Sequence, residues 1–188
     1  MLSEHAGLVA GAFDSIAAGY DAWYDTPLGR LVDRLEKSAV LGLVGDRTGG
    51  RALDLSCGTG NYGLALAGRR FRVVGEDVSE PMLRIARAKG ARARLEVAWL
   101  LADARALPFR PDAFDLATIV LGLEFIAEPG RVVDEIHRIL RPSGDLVVAI
   151  LNRRGLWTLW RRLERLAVPS VWRAARFLRP GELGDLLR

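Results

Sequence analysis

The chain has 188 residues, half of them hydrophobic, with 27 Lys and Arg against 23 Asp and Glu for a net charge of +4. That length and composition fit one folded domain and exclude wholesale disorder. A single Cys excludes an internal disulfide framework and a multi-thiolate zinc site, and two distant histidines, His5 and His137, argue against a metal centre.

The first forty residues read as helical. Phe13, Ile16, Ala17 and Tyr20 follow helical spacing, Pro27 and Gly29 punctuate, and Leu31, Val32, Leu35 and Ala39 form a second apolar stripe. From Arg51 strands alternate with helices. Ala52–Leu55 is a first strand running into the Gly-rich turn Cys57-Gly58-Thr59-Gly60, and a helix then stops at Gly68. Phe71–Gly75 is the second strand. Ser79 caps the next helix, with Pro81 in its first turn and Gly90 at its end. Leu95–Leu101, Phe114–Val120 and Asp145–Leu151 complete five strands. Pro129 opens a helix whose Val132, Val133, Ile136, Ile139 and Leu140 face inward.

Apolar strands separated by helices predict an α/β fold, a doubly wound Rossmann-like parallel sheet covered on both faces. The organisation expected is a helical cover (1–48), an α/β core (49–152) and a basic helical tail (153–188). That tail holds nine Arg against Glu164, Glu182 and Asp185, a net of +6, which leaves −2 on residues 1–152. Arg is common throughout the chain, so the tail reads as a solvated face, and no nucleic-acid partner is expected. The N-terminus lacks the pattern of a secretory signal and no apolar run reaches about 18 residues, so the expected setting is cytoplasmic.

In such sheets a ligand binds beyond the carboxyl ends of the strands, beside strand one. Asp54, Asp77 and Asp103 fall at three strand ends, and Gly58 and Gly60 let backbone approach the ligand. Gly58-x-Gly60-x-x-Gly63 formally matches a dinucleotide fingerprint, which keeps an NAD-dependent oxidoreductase as the alternative. A pyrophosphate beside Asp54 would be repelled, whereas a cofactor carrying sulfonium and ammonium charges would be attracted.

Leu53-Asp54-Leu55-Ser56-Cys57-Gly58-Thr59-Gly60 resembles the cofactor turn of the class I S-adenosylmethionine-dependent methyltransferases. The resemblance is to the small-molecule branch that includes the ubiquinone/menaquinone-biosynthesis enzymes. Val74 to Leu83, Ala102-Asp103-Ala104 with Leu107-Pro108-Phe109, Phe114-Asp115-Leu116 and Leu140 to Gly144 resemble the later motifs, in order, over about 13–152.

The resemblance implies S-adenosyl-L-methionine as cofactor and methyl transfer to an O, N or C atom of a small molecule. A protein that keeps the fold and binds without catalysing is the further alternative. Asp54 would orient the methionine amino group, while Ser56, Gly58, Thr59 and Gly60 form the turn around the methionyl end. Asp77 would accept the ribose hydroxyls, Val78 and Met82 would pack on the adenine, and Asp103 would accept from its amine near the Ala104 backbone. Leu121 would line the methionine side and Tyr20 would close over the cofactor. Many relatives have a His after strand four; here the chain reads Leu121-Gly122-Leu123-Glu124, and Glu124 is the expected base if one is needed.

Two expectations concern the tail. Leu156, Leu159 or Trp160, Leu163 and Leu166 with Arg161, Arg162 and Arg165 suggest a helix over 155–167. It either packs over the acceptor pocket or touches anionic lipid and admits a quinone-like or phospholipid acceptor. Relatives continue into an antiparallel hairpin, so five parallel strands in the order 3-2-1-4-5 are expected. The fifth-strand edge would be covered by the tail or paired in a dimer, or the chain is a shortened form of a longer enzyme.

Overall fold

From Arg51 strand and helix alternate, except that the chain between Leu101 and Phe114 forms no helix, a departure from the strand–helix alternation read in the sequence. The computed structural model describes residues 4–155, 157–159 and 171–188. Three helices come first: α1 (Glu4–Asp14), α2 (Ala17–Tyr20), then, after a 3₁₀ turn at Asp21–Asp25, α3 (Pro27–Val44). Thr26 caps α3 by accepting from the Gly29 N–H, and Pro27 occupies its first turn. The core then runs β1 (Arg51–Leu55), α4 (Asn61–Gly68), β2 (Arg72–Asp77), α5 (Glu80–Ala93), β3 (Val97–Leu101), β4 (Phe114–Val120), α6 (Pro129–Ile139) and β5 (Leu140–Ala149). A last helix, α7, spans Pro180–Leu186.

All five strands pair in parallel in the order β3-β2-β1-β4-β5, as expected from sequence. The sheet's two faces carry separate apolar layers. Val40 and Val44 of α3 and Leu66 of α4 pack with Ala52, Val73, Leu116 and Val147 on one face. Val132, Ile136 and Ile139 of α6 pack with Leu53, Leu55, Ala117 and Ile119 on the other. A third cluster joins Val9 of α1 to Phe125, Ala175 and Phe177, so the first helix and the tail meet beyond the end of β4.

Three further sequence readings are corrected. Leu31 and Leu35 are exposed, and α3 turns Val40 and Val44 to the sheet instead, because Val147 of β5 receives them there. Gly90 lies inside α5, where a Cβ would come within 3.2 Å of the Leu95 carbonyl oxygen; the helix ends at Arg94 in the left-handed region. The pairing of β5 with β4 breaks between Leu140 and Asp145, so its continuous register is Asp145–Ala149. The apolar and basic pattern of 155–167 falls almost wholly outside the described residues. No described helix is long and apolar enough to cross a membrane.

Candidate active site

The cavity opens at the carboxyl ends of β1, β2 and β4, where the chain order reverses across β1. It holds about 1050 Å³ including its mouth. The expected cofactor residues line it, Gly60 excepted. Gly60 instead bends the backbone at φ 81° to start α4. Ser56 and Leu121, at the ends of β1 and β4, also hold left-handed φ of 50° and 55°. For a non-glycine residue that conformation is uncommon, costs about 1–3 kcal/mol and tends to mark functional sites.

Three carboxylates converge at the strand ends. Asp54, 2% exposed, accepts from Thr118 Oγ1 at 2.7 Å, while among the described residues its second oxygen has no hydrogen-bond partner. Burial pushes its carboxyl up to about 7. Asp77 accepts from Gly58 N at 2.8 Å and Ser79 N at 2.9 Å, tying the glycine turn to the cap of α5; burial still raises it above the ordinary range. Asp103 is gripped by Arg105 through Nε at 3.0 Å and Nη2 at 2.7 Å.

Sequence reasoning missed Glu76. It is 1% exposed, accepts from Ser56 N at 3.3 Å, and is held well above the carboxylate range by burial and by Asp77 beside it. It also missed the latch on the helical cover. Lys89 Nζ of α5 donates to Asp21 at 2.9 Å and Asn61 at 2.6 Å, Thr59 Oγ1 donates to Asp21 at 2.7 Å, and Ser79 Oγ bonds Asp14 at 2.6 Å. The cover is thereby fastened to the turn that it encloses. Tyr20 and Tyr24 meet edge to face at 6.2 Å inside it. Cys57 lines the cavity, but burial pushes its thiol well up, which removes it as a nucleophile.

Glu124, the residue expected as a base, is not among those that line the cavity. Its Oε1 accepts from Leu151 N at 2.6 Å, and its carbonyl accepts from Arg176 N at 2.6 Å. Glu124 therefore staples the β4 end to β5 and the tail. Burial raises its carboxyl from 4.5 to about 7. A carboxyl raised on folding binds protons more tightly in the folded state, so its stabilisation is present at low pH and is lost as pH rises from about 4.5 through 7. Glu124→Gln is expected to remove that loss, improving stability relative to the parent at pH 8 over pH 5 by on the order of 3 kcal/mol. Thermal melts across this range check it; a pH-independent difference between the two proteins contradicts it.

With this geometry stand the comparisons with known proteins. A model of the ubiE/COQ5 methyltransferase family matches residues 1–161. The chain belongs to that family. It is 39% identical over 147 residues to a demethylmenaquinone methyltransferase of Clavibacter sepedonicus, covering 78% of this chain and 59% of the relative. A ubiquinone/menaquinone biosynthesis C-methyltransferase of Hydrogenovibrio crunogenus is 36% identical with the same coverage. The chain thus spans about three fifths of the length of these relatives. The crystal structure of a SAM-dependent methyltransferase from Thermotoga maritima superposes with a TM-score of 0.75 at 29% identity, over 96% of this chain and 79% of that one. The [4+2]-cyclase SpnF superposes at 0.78 with 26% identity, over 97% and 71%.

Proposed function

We propose that the cavity binds S-adenosyl-L-methionine and serves methyl transfer to a carbon of a hydroxylated, quinone-precursor-like ring. The observation that carries the cofactor reading is Asp54: a buried carboxylate at the glycine turn with one oxygen lacking a partner, which an ammonium group satisfies. Bound there, the cofactor supplies a methyl group already activated on a sulfonium sulfur.

This chain's residues then bind, align and exclude water. Asp54 holds the amino group. Asp77 keeps a free lone pair on each oxygen after its two backbone N–H bonds, and these accept the ribose hydroxyls. Val78 and Met82 flank the adenine, and Asp103, fixed by Arg105, takes its amine. Leu121 lies beside the methionine side chain and Tyr20 closes the cover. Phe13, Val9, Phe125 and Ile126 give the remaining wall an apolar surface suited to a flat ring. The ring acceptor is also the substrate class that the names of the two bacterial relatives suggest.

Calorimetry with S-adenosylhomocysteine and NAD side by side tests the cofactor. Saturable binding of the first and none of the second is expected, because Asp54 and Asp77 together repel a pyrophosphate. NAD binding alone would overturn the reading. Transfer of labelled methyl to a panel of hydroquinone, phenol, amine and lipid acceptors then tests the acceptor class.

A further inference from the structure

The cavity wall contributed by α3 contains one carboxylate, Glu36, that the sequence stripe concealed. Glu36 stands one turn before Val40 and two before Val44, the residues that α3 packs on the sheet, so it continues their inward face beyond the apolar layer. It lines the cavity. Among the described residues it takes no hydrogen bond and no ion pair. Each of the other lining carboxylates has at least one partner: Asp77 two N–H groups, Asp103 Arg105, Glu76 the Ser56 N–H and Asp54 the Thr118 hydroxyl.

Its position along the cavity is fixed through Tyr62. That residue lies in the first turn of α4, packs against the layer containing Val40, and directly precedes Gly63, where a Cβ would lie 3.3 Å from the open Asp54 oxygen. Tyr62 lines the same cavity as Glu36 and Asp54. Its phenol feels the charges of both, which together with burial push it up. Tyr20 and Tyr24 line the same cavity from the cover, and Asp33 lies one turn away on α3.

Resting on the cofactor reading above, we propose that Glu36 is a second carboxylate of the methionyl end, accepting from the cofactor's α-ammonium group opposite Asp54. The ammonium carries three N–H donors and Asp54 has one open oxygen, so a second acceptor from the cover completes the site. Because one acid belongs to the sheet and the other to α3, the bound ammonium also bridges the cover to the core. Burial and Asp33 raise the Glu36 carboxyl, consistent with a group that lacks its cationic partner.

Two ligands that share the adenosyl group separate this role from a general one. S-adenosylhomocysteine has the amino-acid end; 5′-methylthioadenosine does not. Glu36→Gln is expected to weaken the first at least tenfold by calorimetry and to change the second less than twofold. Glu36→Asp, with its carboxylate drawn back by one methylene, should lie between, and an unchanged melting temperature shows that the fold is intact. Equal loss for both ligands, or no loss for either, overturns the assignment. A parent protein that binds neither ligand overturns the cofactor reading itself, and Glu36's role with it.

Discussion

Asp77→Ala is expected to weaken S-adenosylhomocysteine binding about 100-fold or more. On the proposed cofactor reading two ribose hydroxyls would lose a charged acceptor, and hydrogen bonds to charged groups contribute about 1.5–3 kcal/mol each. Two such bonds at the low end give about 3 kcal/mol, or two orders of magnitude. The carboxylate has a second task, since it holds Gly58 N at 2.8 Å and Ser79 N at 2.9 Å. Its loss also frees the glycine turn from the cap of α5, so the ligand meets a less ordered cradle. Methylthioadenosine keeps the ribose and should lose as much, in contrast to its indifference to Glu36. Asp77→Asn, which retains one acceptor oxygen, should fall between parent and Ala. Calorimetric affinities for the two ligands settle the matter; a change under threefold in Asp77→Ala would sink the ribose assignment.

The sheet was legible because its strands are short apolar runs closed by turn residues. Phe114–Val120 has the same limits in sequence and structure, since Pro111 and Gly122 bracket a run with no competing helical pattern. The second strand runs two residues further than its apolar stretch. Glu76 and Asp77 look like loop residues by charge, yet they pair with Leu100 and Leu101 of β3, and burial of charge is invisible to a hydrophobic pattern. That Asp54, Asp77 and Asp103 line the cavity could be foreseen for the opposite reason, because a doubly wound sheet opens its cleft at the carboxyl ends of the strands.

What could not be read depends on contacts distant in sequence. Helix α3 has leucines on more than one side, and only its meeting with Val147 decides that Val40, Val44 and hence Glu36 face inward. Glu124 stands where a base was expected, but one of its carboxylate oxygens accepts from Leu151 N, 27 residues on, which no local pattern announces. The Lys89 latch joins Asp21 and Asn61, 68 and 28 residues away. No local periodicity encodes such a meeting of three elements.

Gly75→Ala is expected to destabilise the fold by about 3 kcal/mol, at the upper end of the overpacking range. Gly75 sits at the centre of β2, between Asp54 of β1 and Trp99 of β3. A Cβ there would lie 2.5 Å from Trp99 Cζ3, 2.6 Å from Cε3 and 3.1 Å from the Cys57 sulfur. The indole cannot yield freely, because its far edge already lies over Gly60 and beside Ala86. Displacing it pushes on the residue that starts α4, so stability and cofactor affinity should fall together. For a chain of this length a loss of that size lowers the melting temperature by roughly 6–12 °C. A double-mutant cycle identifies the cause. Trp99→Leu removes the indole and loses packing of its own, but within that background Gly75→Ala should cost less than about 1 kcal/mol, since the opposing ring atoms are gone. Thermal melts of the four proteins give the coupling directly. A Gly75→Ala melt within 2 °C of the parent, or the same cost with and without the indole, would show that the close approach of Trp99 is not what requires glycine at this position.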